Sequence, residues 1–103
     1  MKTFGTHNYF VYILTNDPRT VLYTGVTNDL PTRINEHRAA RSRGKFSFAG
    51  RYNCFNLIYY ERFGEIEYAI EREKQIKGLS RGKKEKLISD FNPYWEFLDP
   101  FDL

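Results

Sequence analysis

Residues 23–38 read YTGVTNDLPTRINEHR, and the reading of this stretch decides the fold. Val21, Leu22 and Tyr23 lead in as strand formers, and Gly25 permits a close approach that a side chain would block. Asn28 or Asp29 can cap a helix, and Pro31 fits its first turn. Leu30, Ile34 and His37 then fall on one helical stripe at i, i+4 and i+7. Arg33 lies four residues before His37, so the two are neighbours on the helix surface. An arginine and a histidine beside an apolar stripe, just past a glycine turn, form a candidate anion site.

On the N-terminal side, residues 9–16 (YFVYILTN) are aromatic and β-branched and run into Asn16-Asp17-Pro18, a strand followed by a turn. The connection to a second strand over 21–26 is short, which predicts an antiparallel hairpin. In such a hairpin Tyr12 and Tyr23 can project toward one face. On the C-terminal side, a helix over about 29–40 gives way to RSRGKFSFAGRYN, residues 41–53, where neither a strand nor a helix period holds. This basic loop interleaves cations with aromatics, a composition suited to nucleic acid, although Phe46 and Phe48 can equally pin the loop to the core.

Residues 55–63 (FNLIYYERF) make a third strand, and a second helix spans about 65–77, closed by Gly78. Its apolar stripe reads Ile66, Ala69, Ile70 and Ile76. The remaining position on that stripe is Glu73, and an inward carboxylate is costly unless it is paired or bound to metal. Ser80 caps a third helix, RGKKEKLISDF, whose apolar side is Leu87, Ile88 and Phe91. Asn92-Pro93 ends it. The predicted fold is α+β, a small three-stranded antiparallel sheet flanked by helices in the order β-β-α-β-α-α. We read one domain, with a core of about 8–92 and an acidic aromatic tail over 93–103. The tail either packs Trp95 and Phe97 on the body, folds over the basic surface, or meets a partner.

The composition suits a folded domain: 41% of the 103 residues are hydrophobic and 28% charged. The single cysteine, Cys54, excludes an internal disulfide and a cysteine-based metal site and fits a reducing, cytoplasmic setting. The N-terminus shows no signal-peptide pattern, and no run approaches the roughly 20 apolar residues of a membrane span. Between Arg38 and Tyr60 there are five cations (Arg38, Arg41, Arg43, Lys45, Arg51) and no acid. Arg72–Lys86, which includes Lys74 and Lys77, carries seven cations against two glutamates. The last fourteen residues hold four acids and no Lys or Arg, so the net +3 hides a body of +7. A basic body favours polyanions.

Taken in order, these residues resemble the GIY-YIG nuclease superfamily, especially its small single-domain bacterial members. Phe10-Val11-Tyr12 and Tyr23-Thr24-Gly25 stand where the family's paired motifs sit on a hairpin. Arg33 and His37 match its helix arginine and the histidine one turn later. Ala69, Glu73 and Ile76-Lys77 match its later helix. The strings YTGVTNDL, EHR, REKQIKG and SRGKKEKLI reinforce the likeness, which covers roughly residues 8–95. The first motif departs from the family at Phe10 and Val11, and Val26 stands where repair-type relatives have a lysine.

The resemblance implies a metal-dependent endonuclease acting on DNA, with RNA left open and no membrane partner. A nucleic-acid-binding module of the same fold is the alternative. It implies catalytic roles for Tyr12, Tyr23, Arg33, His37 and Glu73, with Glu73 holding one Mg²⁺ or Mn²⁺. Arg33 would clamp phosphate oxygens, while Arg33 and Glu73 as a structural ion pair is the plainer reading. Tyr12 would act as general base or orient the attacking water, and the first role requires cations that lower its ordinary pKa of about 10. His37 would position a group or shuttle a proton. Arg38, Arg41, Arg43, Lys45, Arg51, Lys74 and Lys77 are candidate nucleic-acid contacts. Asn92 is either a further site residue or a turn former before proline. Oligomeric state is open.

Overall fold

A computed structural model describes residues 8–42 and 52–102. Strand β1 (Tyr9–Thr15) and strand β2 (Leu22–Thr27) form the antiparallel hairpin, with Tyr12 directly opposite Gly25 and Leu14 opposite Tyr23. Asn16 builds the turn: its side-chain oxygen accepts the Thr20 and Val21 N–H groups at 2.8 and 3.1 Å, and Arg19 takes φ 63°. Helix α1 (Leu30–Ser42) follows, with Asp29 as its cap: the carboxylate accepts the Thr32 N–H at 3.3 Å and the Thr32 hydroxyl at 2.9 Å. The helix runs two residues further than the sequence suggests.

Strand β3 (Asn56–Phe63) pairs antiparallel with the other side of β1, so the sheet order is β2-β1-β3. Ile13 faces Tyr59 and Leu14 faces Leu57, which makes Ile58 the extra residue of a β-bulge. Helix α2 (Ile66–Lys77) and helix α3 (Arg81–Phe91) complete the predicted order. Ser80 caps α3 by accepting the Lys83 N–H. Gly78 closes α2 in an ordinary right-handed conformation at φ −82°.

The alternation of β1 divides the core between the two faces of the sheet. Val11 and Ile13 pack with Ile58, Tyr59, Ala69, Ile76 and Ile88, the face covered by α2 and α3. Tyr12 and Leu14 pack with Leu30, Ile34, Cys54 and Leu57, the face covered by α1. Cys54 is buried and its thiol is pushed up to about 11 by that burial, so it stays a thiol. The α2 stripe is narrower than its spacing suggests. Ala69 and Ile76 are fully buried, but Ile66 and Ile70 are exposed, because the helix meets the sheet along one line of residues.

The tail is part of the body. The Leu98 N–H donates to the Leu57 carbonyl at 2.7 Å, which extends the β3 edge. The Trp95 indole N–H donates to Ser89 Oγ at 2.9 Å, and Arg19 lies 4.0 Å over the Phe97 ring. Among the described residues no helix is long and apolar enough to cross a membrane.

Candidate active site

Tyr12 is the centre of the α1 face. Its side chain crosses from β1 over β2, and it is fully buried. Gly25 makes this possible: a Cβ there would lie 2.4 Å from the Tyr12 Oη and 2.6 Å from Cζ. The glycine is therefore the seat of the tyrosine ring rather than a turn residue. Tyr23, two positions before Gly25, projects from the same face, and its ring centroid lies 6.3 Å from that of Tyr12. His37 arrives from α1, with Nε2 3.4 Å from the Tyr12 Oη and its ring edge-on to Tyr23 at 5.2 Å. Arg33 lies one turn earlier. It is bonded to Glu36 at 3.0 Å, and the Tyr12 hydroxyl and the Glu36 carboxylate hold its guanidinium more firmly protonated than usual.

The electrostatics assign the protons. Burial pushes the Tyr12 phenol up to about 12, Tyr23 adds to the effect, and Arg33 opposes it without overcoming it. The condition that a general-base role sets, cations that lower the Tyr12 pKa, is therefore not met, which leaves the other role, orienting the attacking water. At neutral pH Tyr12 is a hydroxyl that can donate a hydrogen bond. Burial, and then the charge of Arg33, lower the pKa of His37, with Glu36 opposing. His37 is thus a neutral imidazole at pH 7.

Glu73 is carried by a different element. It is on α2, its side chain is 16% exposed, and its carboxylate pairs with the Lys77 ammonium at 2.9 Å. At about 100° per residue, Arg72 and Glu73 flank the buried Ala69–Ile76 line on opposite sides. Arg72 points to β3, where it donates three hydrogen bonds to Glu61 at 2.9–3.1 Å. Glu73 therefore lies on the flank toward β2. The same construction on α1 places Arg38 toward β3, where it reaches the Phe55 carbonyl at 3.4 Å, and Arg33 toward β2. Arg33 and Glu73 are not paired with each other: Arg33 holds Glu36 and Glu73 holds Lys77.

A divalent ion at Glu73 would find one protein carboxylate. Among the described residues no group of three or more His, Cys, Asp or Glu comes together. That donor set fits Mg²⁺ or Mn²⁺, which keep several waters and take the rest of their shell from substrate oxygens.

The other candidates separate. Lys74 and Lys77 are exposed on α2, Lys77 holding Glu73. Arg38 is exposed on α1, and Arg41 falls in the last turn of that helix. Arg43, Lys45 and Arg51, like Phe46 and Phe48, lie outside the described residues. Asn92 is buried with a structural task. Its amide donates to the carbonyl of the bulge residue Ile58 at 3.0 Å and to that of Glu96 at 2.8 Å, and its oxygen accepts the Glu96 N–H at 3.1 Å.

A group not foreseen from the sequence is the clasp of Tyr59, Glu61 and Arg72. The Tyr59 hydroxyl donates to Glu61, and Arg72 grips the same carboxylate from α2. Burial raises the Tyr59 pKa, and Glu61 raises it further. Its one sequence signal is the i, i+2 spacing of Tyr59 and Glu61, which places both on one face of the strand.

Comparison with known proteins shows the family. The GIY-YIG catalytic domain matches residues 8–86, from the start of β1 into α3. A UPF0213 protein of Natronomonas pharaonis is 40% identical over 83 residues, covering 81% of this chain and 93% of its own length. One from Pectobacterium carotovorum is 32% identical, covering 80% and 79%. The solution NMR structure of a UPF0213 protein from Bacillus halodurans aligns with a TM-score of 0.50 at 38% identity, over 80% of this chain and 83% of that one. GIY-YIG is a nuclease family, and membership implies binding of nucleic acid. A hairpin that seats one tyrosine under a glycine beside another, followed at once by the arginine and histidine helix, within a matched catalytic domain, makes this chain a member of the GIY-YIG family.

Proposed function

We propose that the protein is a metal-dependent endonuclease that hydrolyses DNA phosphodiester bonds. The observation that supports it best is the convergence of Tyr12, Tyr23, Arg33 and His37 on one face of the hairpin. In this reading Arg33 exchanges Glu36 for phosphate oxygens and holds them through its planar fork. Tyr12, protonated, orients a phosphate or water oxygen. His37, neutral at pH 7, holds or moves a proton at Nε2. Glu73 would hold Mg²⁺ or Mn²⁺, which supplies charge neutralisation and an activated water when bound. Arg38, Arg41, Arg43, Lys45, Arg51, Lys74 and Lys77 supply backbone contacts along the basic body.

The second reading, a nucleic-acid-binding module with little or no catalysis, is favoured by one observation. Tyr12 is held protonated and is not a base in the free protein. Cleavage of labelled single-stranded, duplex and branched DNA with Mg²⁺ or Mn²⁺ separates the two. We expect wild type to cut, and Glu73→Ala and Arg33→Ala to cut at least about 10²-fold more slowly with unchanged circular dichroism. Mutants that cut at the wild-type rate overturn the site. Binding that survives chelator, with no strand breaks under either metal, leaves the binding module.

A further inference from the structure

The sheet face that carries Tyr12 continues past it. Phe10, two residues earlier on β1, projects from the same face at roughly 7 Å along the strand. The register sets Arg62 directly opposite Phe10, and Tyr60 opposite Tyr12. The Phe10 and Tyr60 rings meet edge to face at 6.2 Å, and Tyr60 is backed by Phe91 at 5.2 Å. The pair is therefore held in place before any ligand arrives. These rings, with Asn8, Asn28, Leu30 and Arg62, wall a cleft of about 550 Å³ whose far side is the first turn of α1.

Among the described residues, the side-chain amides of Asn8 and Asn28 and the guanidinium of Arg62 make no hydrogen bond or ion pair. Asp29, the acid at the rim, is engaged in capping Thr32. Two half-buried aromatic rings, with one cation and two amides that have no partner among the described residues, match around an open cleft the requirements of a nucleobase. The rings offer a stacking surface, the amides each offer a donor and an acceptor for a base edge, and the arginine takes the adjoining phosphate or stacks on the base. A base inside a duplex cannot reach such a cleft, because its faces are already stacked.

We infer that this cleft binds an unpaired nucleobase next to the bond to be cut, so that the protein selects DNA with a single-stranded or unstacked nucleotide. The inference rests on the nuclease reading above and adds a substrate class to it. Phe10 stands outside the proposed catalytic set, so its removal should change substrate choice rather than the site at Tyr12 and Arg33.

The test is binding, in EDTA, of a single-stranded oligonucleotide carrying 2-aminopurine and of the same sequence fully paired, followed by anisotropy and by base fluorescence. Wild type should bind the single strand about tenfold or more tightly than the duplex and quench the fluorophore. Phe10→Ala should remove both the preference and the quenching while leaving duplex affinity unchanged. Arg62→Gln and Asn28→Ala, at exposed positions, should each weaken single-strand binding several-fold and carry the test if Phe10→Ala fails to fold. Equal affinity for the two substrates without quenching, or Arg62→Gln and Asn28→Ala both behaving as wild type, overturns the cleft and leaves the nuclease reading standing. Failure to bind either oligonucleotide overturns both.

Discussion

The side chains of the hairpin show how far a residue's chemistry depends on where it is buried. The tyrosines, arginine and histidine could be named from their order in the chain, but not the state in which they are held. A general-base role for Tyr12 requires a depressed pKa, whereas full burial outweighs the neighbouring Arg33 and drives it to about 12. Gly25 was legible as a place of close approach, yet its partner is the ring directly across the ladder, which only the register reveals. His37 yields a testable pH dependence. Its folded-state pKa lies below 6.5, so between the two values the unfolded chain binds a proton that the folded chain does not. Stability is then complete above pH 6.5 and declines as pH falls toward the folded value. Urea unfolding from pH 7.5 to 5 should show this decline in wild type and a smaller one in His37→Gln. An NMR titration placing the His37 pKa at or above 6.5 would contradict the argument.

At the scale of elements, strands and caps were the easiest features to read, because runs of aromatic and β-branched residues, Asp29, Ser80 and Pro93 act locally. Helix α2 was harder. Four residues match its apolar stripe, but only Ala69 and Ile76 are buried, since the clasp of Arg72 on Glu61 fixes the roll of the helix and turns Ile66 and Ile70 outward. A hydrophobic period limits the possible rolls of a helix without choosing among them, and a long-range ion pair makes the choice here. Two substitutions separate the sequence pattern from the observed roll. Ile76→Ala should cost about 2–5 kcal/mol by opening a cavity in the core. Ile70→Gln should stay within about 0.5 kcal/mol of wild type, as exposed positions do. Chemical denaturation of the pair checks this, and comparable losses at both positions would mean that α2 is rolled differently.

For the whole molecule, the tail over 93–103 decides whether the basic body and the acidic end are two parts or one. Composition alone left three uses for the tail. In the structure it closes the sheet: Leu98 extends the outer edge of β3, Trp95 packs toward α3, Phe97 lies under Arg19 from the first turn, and Asn92 ties the junction to the bulge at Ile58. Three of these contacts join the tail to segments more than thirty positions earlier, which a linear reading does not pair; only Trp95 with Ser89 is local. A strand edge stripped of its cover exposes unpaired N–H and C=O groups. Deletion of residues 93–103 should therefore do more than remove charge. The melting temperature should fall by at least about 8 °C, since each kcal/mol lost lowers it by about 4–8 °C in a domain of this size. The truncated chain should also self-associate on gel filtration, through β3. A truncation that melts with the full chain and elutes as the same species would show the tail to be an appendage, and the acidic end would then be free to act on the basic surface instead.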